Sequence, residues 1–148
     1  MLESLTLALS YPLRLMATWL ATGTLRLFGV AVHAQRTLIT LDDGRLQIAI
    51  TDACSGIEQL FALAVIGGFF AFMMQHRLLP RIMHWATVLP CVVLANAIRL
   101  VAIVVLYRIF GETILGNAWH MALGWAQTVL AVALLWLVGI LLHRLAAH

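Results

Sequence analysis

The sequence predicts an all-α polytopic membrane protein with about four transmembrane helices and a small extracytoplasmic β-hairpin between the first two. Of its 148 residues, 64% are hydrophobic and only 10% are charged. Its mean hydropathy of +1.02 lies outside the range of soluble domains. A helix needs about 20 apolar residues to cross a bilayer, so this length accommodates four or five spans and no separate soluble domain. We therefore treat residues 1–148 as a single membrane domain.

Four apolar runs, separated by short polar breaks, define the predicted spans. They cover residues 5–32, 55–75, 82–107 and 118–142. The first run lacks a basic leader and a small-residue cleavage site, so we expect it to be a retained span. Four spans place both termini on the same side of the membrane.

The distribution of arginine indicates which side that is. The chain has nine arginines, no lysine and a net charge of +3. The arginines are scattered singly and form no basic stripe, so nucleic-acid binding is not expected. Arg77 and Arg81 lie in the second break and Arg144 follows the last span, whereas the acidic residues Asp42, Asp43, Asp52 and Glu112 fall in the other two breaks. Because basic loops stay in the cytoplasm, we expect both termini on the cytoplasmic side of the inner membrane. Arginines in the other two breaks make this bias modest.

The segment between the first two spans is predicted to form a hairpin over residues 36–51. Two stretches rich in Thr, Ile and Leu flank Asp42, Asp43 and Gly44, and Asp-Gly favours a tight turn. Beyond the turn, apolar and other residues alternate, as in a strand lying on an apolar surface. We expect this hairpin to rest on the outer membrane–water boundary.

Three reactive side chains are predicted to meet at the outer face. Cys54 opens the second span and His120 opens the fourth, so both lie at the same end of the bundle. Arg99 lies eight residues before the predicted exit of the third span at Tyr107, about 12 Å below the face at a rise of 1.5 Å per residue. Its long side chain can reach upward by snorkelling.

Cys54 also has a simple structural explanation, because lone cysteines in membrane helices usually pack as small hydrophobic groups. Its position at a helix N-terminus, however, favours a reactive thiolate. Gly56 leaves room for a substrate backbone. Ser55 is explained equally well as a helix cap.

Arg99 and His120 have similar alternatives. Arg99 could form a buried ion pair with Glu58, and Asn96, one turn earlier, could orient the guanidinium. An intramembrane arginine costs about 2.5–3.5 kcal/mol to insert, which favours a functional role. His120 could be an interfacial anchor beside Trp119.

No cofactor is expected. No pair of His, Cys or carboxylate residues has metal-ligand spacing on one helix face, so no metal site is predicted. Cys54 and Cys91 lie at different predicted depths, so a disulfide is not expected.

Two motifs and a histidine fall in successive predicted spans: ACSGI at 53–57, NAIR at 96–99, and His120 at the start of the next span. In this pattern the chain resembles the exosortase/archaeosortase family of intramembrane cysteine transpeptidases. The resemblance also includes YPLR at 11–14 and the predicted hairpin, so it covers nearly the whole chain.

The resemblance implies a catalytic set of Cys54, Arg99 and His120. It also implies a substrate: an exported protein whose C-terminal tail has a short motif such as Pro-Glu-Pro, a transmembrane helix and a basic cluster. Cleavage near the motif would proceed through a thioacyl intermediate. A surface acceptor such as a lipid or glycan would then take the acyl group, giving transfer, or water would take it, giving simple proteolysis, and the sequence does not separate these outcomes. Many members have about twice as many spans, which leaves open how this shorter chain selects its substrate. Glu58 and Gln59 after the motif could mark a subfamily.

Several alternatives stay open. Asp52 or Glu58 could orient His120 or pair with Arg99, and no spacing chooses between them. A non-catalytic scaffold or transporter subunit would use Arg99 and Glu58 as a buried pair, with Cys54 as a packing residue. A redox-active thiol protein is disfavoured because no resolving cysteine lies nearby.

Overall fold

The computed structural model describes residues 2–41, 44, 47–49 and 57–146. Within these residues, five α-helices and three short strands follow in the order α1, β1, β2, β3, α2, α3, α4, α5. The helices are α1 (Leu2–Leu27), α2 (Ile57–Met74), α3 (Leu78–Ala86), α4 (Val88–Phe110) and α5 (Asn117–Ala146). A 3-10 turn, Gly111–Leu115, joins α4 to α5. The expected mostly helical membrane fold is confirmed.

The apolar character of the helices identifies the membrane-spanning part. Leu78–Leu115 and Asn117–Leu145 are long and apolar enough to cross a bilayer, and Leu60–Met74 is a shorter apolar helix. Helix α1 has 26 residues, enough in length to span, but it carries Arg14 and Arg26 and is less apolar than α2.

The first helix ends earlier than the predicted span. Helix α1 stops at Leu27, and the chain turns through Gly29, which has a positive φ of 75°. Arg26 donates hydrogen bonds to the carbonyl of Val32 from Nε at 3.2 Å and from Nη2 at 3.1 Å. The last five residues of the predicted span therefore belong to this turn and to the start of a strand.

The predicted hairpin is present and is part of a larger sheet. Strand β2 (Leu38–Leu41) pairs antiparallel with β3 (Gln47–Ala49), with Thr40 opposite Gln47. Strand β1 (Val32–Gln35) adds a third strand on the other side of β2, and its first residue falls within the predicted first span. The predicted turn residues Asp42 and Asp43 lie outside the described residues.

The sheet packs against helices. Ile39 and Leu41 of β2 are buried with Leu25 of α1 and with Leu100 and Val104 of α4. Strand β2 therefore lies on the apolar core of the protein itself. This contact fixes the sheet at the end of the bundle where α1 and α4 both finish.

The third span is interrupted once. Helices α3 and α4 meet at Thr87, whose Oγ1 donates to the carbonyl of His84 at 2.6 Å. Pro90 has no N–H to bond the carbonyl of Ala86, which explains why the regular helix restarts here. The predicted polar break at 76–81 is shorter in the structure, because α3 already begins at Leu78. Pro80 is accommodated in its first turn.

A second apolar core joins α2, α4 and α5. It contains Leu63, Val92, Ala95, Ala131 and Leu135 among its buried residues. Gly67 makes close contact possible, since a Cβ there would overlap the side chain of Val88 and lie 3.7 Å from Leu135. The packing of α4 against α5 in this core positions the polar residues described below.

Candidate functional site

The predicted site residues on α4 and α5 lie next to each other. The Nη2 atom of Arg99 lies 3.5 Å from Nδ1 and 3.4 Å from Nε2 of His120. The same nitrogen lies 3.4 Å from the carbonyl oxygen of His120. These distances are long for hydrogen bonds and engage neither ring nitrogen strongly. The side chain of Arg99 thus connects the deeper part of α4 to the first turn of α5.

Helix geometry explains how the two residues meet. His120 is the fourth residue of α5, while Arg99 lies 11 residues before the end of α4 at Phe110. That separation corresponds to about 16 Å along the α4 axis. Arg99 is 7% exposed, so its methylene stem is buried while its guanidinium reaches toward the exposed His120.

Gln127 is a functional candidate that the sequence did not single out. Its Oε1 accepts a hydrogen bond of 3.1 Å from Nη1 of Arg99. Its Nε2 donates to Oδ1 of Asn96 at 3.4 Å. Gln127 is 3% exposed and Asn96 is 1% exposed, so this amide pair is fully inside the bundle. Gln127 follows His120 by seven residues, which places both on one face of α5.

Not every N–H donor of the Arg99 guanidinium has a hydrogen-bond partner among the described residues. None of its described partners is a carboxylate: they are the amide of Gln127 and the ring and carbonyl of His120. Its Nε and the Nδ2 of Asn96 are buried and have no hydrogen-bond partner among the described residues. Among the described residues this buried cation has only uncharged acceptors, which makes it a favourable neighbour for an anion.

The start of α2 lies at the same end of the bundle as His120. Gln75 Nε2 donates to the carbonyl of Gly139, 64 residues later, and His143 Nδ1 bonds the carbonyl of Met74, 69 residues earlier. A Cβ at Gly67 would lie 3.7 Å from Leu135 and one at Gly139 would lie 2.7 Å from Met74, so the contacts advance together along α2 and α5, and the two helices run in the same direction. The same offsets place Ile57, the first residue of α2, level with residues 121–126 of α5.

The remaining predicted site residues belong to the segment before this helix. Cys54 precedes Ile57 by three residues in the sequence. Cys54, Asp52, Ser55 and Gly56 lie outside the described residues. Glu58 is in the first turn of α2, but its side chain also lies outside the described part of the chain. The roles assigned to these residues stay predictions.

Two further predictions concern Cys91 and possible metal ligands. Cys91 is a free cysteine buried in the core between α2, α4 and α5. Among the residues that the structure describes, no group of three His, Cys, Asp or Glu side chains is arranged to hold a metal ion.

Comparison with known proteins identifies the family. A family model described as transmembrane exosortase matches residues 1–137, which is more than nine tenths of the chain. Neither the curated proteins nor the solved structures gave a match. Membership of this family implies a sorting transpeptidase that acts on exported proteins in the membrane. The chain therefore belongs to the transmembrane exosortase family.

Proposed function

We propose that this chain is a membrane-embedded cysteine transpeptidase that cleaves the C-terminal sorting tails of exported proteins. The substrate tail would carry a short PEP-like motif, a transmembrane helix and a basic cluster. The observation that carries the proposal is the buried guanidinium of Arg99 beside His120, at the end of the bundle where α2 begins. Cys54 is three residues from that helix start in sequence.

The first half of the proposed reaction is acylation of the thiol. His120 takes the proton of Cys54, and Sγ attacks the scissile carbonyl carbon of the substrate. A thioester forms as the peptide C–N bond breaks. The leaving amine takes its proton from the imidazolium of His120 and departs with the tail. Arg99 donates N–H groups to the oxyanion that develops on the carbonyl oxygen.

The second half releases the acyl group. A hydroxyl or amine of a surface acceptor, of the lipid or glycan class, attacks the thioester carbon. His120 accepts the proton of that nucleophile, and the Cys54 sulfur leaves as a thiolate. The products are the acylated acceptor and the regenerated enzyme, so the cycle requires no oxidant, reductant or cofactor.

Gln127 supports this mechanism as a positioning residue. Its Oε1 accepts a 3.1 Å hydrogen bond from Nη1 of Arg99, so Nη2 and Nε are not used by Gln127. The long contacts to the His120 ring can be exchanged at little cost for stronger bonds to a thiolate or oxyanion. A guanidinium fixed before the reaction does not need to reorganise during it.

The proposed orientation places the site at the extracytoplasmic face, with both termini cytoplasmic. The supporting observation is the charge of the opposite end, where Arg77, Arg81 and Arg144 lie. A membrane-impermeant thiol reagent added outside intact cells should label Cys54 and leave the buried Cys91 unlabelled. Labelling only after the cells are opened would reverse the assignment.

Processing of a tailed substrate tests the proposed activity. The chain is co-expressed with an exported protein that carries the three-part tail, and the size of that protein is followed by immunoblotting. Cys54→Ala should abolish the size change, whereas Cys91→Ala should retain it. The same processing in wild type and in both Cys54→Ala and Arg99→Ala would exclude the mechanism and favour a scaffold role.

A further inference from the structure

A second polar cluster lies at the opposite end of the bundle from Arg99 and His120. A cavity of about 330 Å³ is lined by Met73, Met74, His76, Ile140, His143 and Arg144. We call it the α2–α5 pocket, because it lies where α2 ends and α5 approaches its last turns. The reaction proposed above uses none of these residues.

The hydrogen bond of His143 fixes one side of the pocket. Its Nδ1 lies 2.9 Å from the carbonyl oxygen of Met74. Because a carbonyl only accepts, Nδ1 carries the proton and donates this bond, which fixes the ring of His143 at the wall of the pocket. The ring of His76 lies edge-on to that of His143, with centroids 6.2 Å apart. Two imidazoles and the Arg144 guanidinium thus border one cavity.

This end of the chain is basic. The stretches 75–83 and 140–148 contain three arginines and three histidines, and neither contains an aspartate or glutamate. Among the residues that line the pocket, none is acidic. A guanidinium that has no carboxylate in its cavity is suited to a phosphate, whose oxygens match its paired N–H groups.

The rest of the lining is apolar. Met73, Met74 and Ile140 provide hydrocarbon surface beside the polar groups, and Met73 is 60% exposed. A ligand that fits both parts is amphiphilic, with an anionic head and an apolar tail. Helix α5 is long and apolar enough to cross a bilayer, and α2 contains a shorter apolar helix. We therefore expect a pocket at their shared end to lie near the level where lipid headgroups and acyl chains meet.

We propose that the α2–α5 pocket binds an anionic phospholipid. Arg144 and His76 contact the headgroup phosphate, and the methionines and Ile140 pack against the first part of an acyl chain. Since the lipid contacts the ends of α2 and α5 together, it also stabilises the packing of these two helices. This inference does not depend on the transpeptidase activity.

The test measures lipid retention and thermal unfolding of the full chain in detergent. Phosphatidylglycerol is compared with phosphatidylcholine of the same acyl chains and with inorganic phosphate. We expect phosphatidylglycerol alone to be retained in native mass spectra and to raise the unfolding temperature. Arg144→Gln should weaken its affinity about tenfold, the effect of one charge-assisted hydrogen bond, and His76→Gln should weaken it less.

Two controls make the result specific. Arg108→Gln removes an exposed arginine at the other end of the bundle and should leave lipid retention unchanged. Cys54→Ala should bind lipid like the wild type, so failure of the transpeptidase proposal and failure of this one can be told apart. Equal retention of phosphatidylcholine, equal stabilisation by inorganic phosphate, or an equal loss in Arg108→Gln would each overturn the proposal.

Discussion

Gln127 of α5 accepts a 3.1 Å hydrogen bond from the buried guanidinium of Arg99 on α4. It also donates to Asn96 one turn earlier on α4, so a single amide side chain ties two α4 residues to α5. The pairing explains how a guanidinium can be held inside the bundle and still reach His120.

The first prediction concerns this amide. Gln127→Leu should lower the rate of substrate processing about tenfold or more, because Nη1 of Arg99 loses its acceptor and the guanidinium is no longer fixed. The apparent affinity for the tailed substrate should change little, since the proposed role of Gln127 is to hold Arg99 and not to bind the substrate. Thr128→Val is the matched control, because the Thr128 hydroxyl bonds the carbonyl of Gly124 within its own helix. Equal losses in the two variants would assign Gln127 a purely structural role.

The second prediction separates function from stability at Arg99. Arg99→Met removes a charge that costs about 2.5–3.5 kcal/mol to insert, and it leaves the amide of Gln127 without a donor at a cost of about 1–3 kcal/mol. These contributions nearly cancel, so the unfolding temperature in detergent should stay within a few degrees while processing is lost.

The rival scaffold hypothesis predicts a different outcome for the same variant. If Arg99 were one half of a buried ion pair with Glu58, Arg99→Met would leave an unpaired buried carboxylate and destabilise the chain by about 3–5 kcal/mol. A large fall in unfolding temperature would therefore support the scaffold hypothesis.

The sequence predicted the elements of this fold better than their boundaries. Apolar runs of about 20 residues predicted helices where α1, α2, α4 and α5 are found, and Asp-Gly predicted the hairpin. The end of α1 and the pairing of β1 depend on tertiary contacts, such as those of Arg26 with the carbonyl of Val32. The interruption at Thr87 had a visible cause in Pro90, but a proline near the start of a helix is often tolerated.

Part of the candidate site could be predicted from the sequence, and part could not. The order of the spans was enough to predict that Arg99 and His120 lie at one end, because the third span ends at the face where the fourth begins. Gln127 was missed, although its spacing of seven residues from His120 is a signal for the same helix face. A buried amide is recognised as part of a site only when its partner across the helix interface is known.

The third prediction tests His120. His120→Gln should reduce processing by about 10²-fold or more, the usual contribution of a general acid–base group. Trp119→Phe is the control, since it keeps an aromatic ring next to Phe110, whose centroid lies 6.2 Å from that of Trp119. Processing at the wild-type rate in His120→Gln would leave His120 as an interfacial anchor only.

The fourth prediction concerns packing between α2, α3 and α5. A Cβ at Gly139 would lie 2.6 Å from Cε1 of His84 and 2.7 Å from Sδ of Met74. Gly139→Ala should therefore destabilise the chain by about 1–3 kcal/mol through overpacking. A Cβ at Gly124, on the same helix, has no described heavy atom within 4 Å.

Gly124→Ala is accordingly the matched control and should be neutral or stabilising by up to about 1 kcal/mol, the helix-propensity difference. Unfolding temperatures of the two variants in detergent provide the comparison. Equal stability of the two variants would show that His84 and Met74 move aside at no cost.

The most direct test of the proposed mechanism is detection of the thioester itself. Wild-type protein is incubated with a tailed substrate in the absence of an acceptor, quenched in acid, and analysed by intact mass spectrometry before and after treatment with hydroxylamine. The mechanism predicts an adduct between Cys54 and the N-terminal part of the substrate that hydroxylamine removes, and no adduct in Cys54→Ala. Substrate cleavage by Cys54→Ala at the wild-type rate would contradict it.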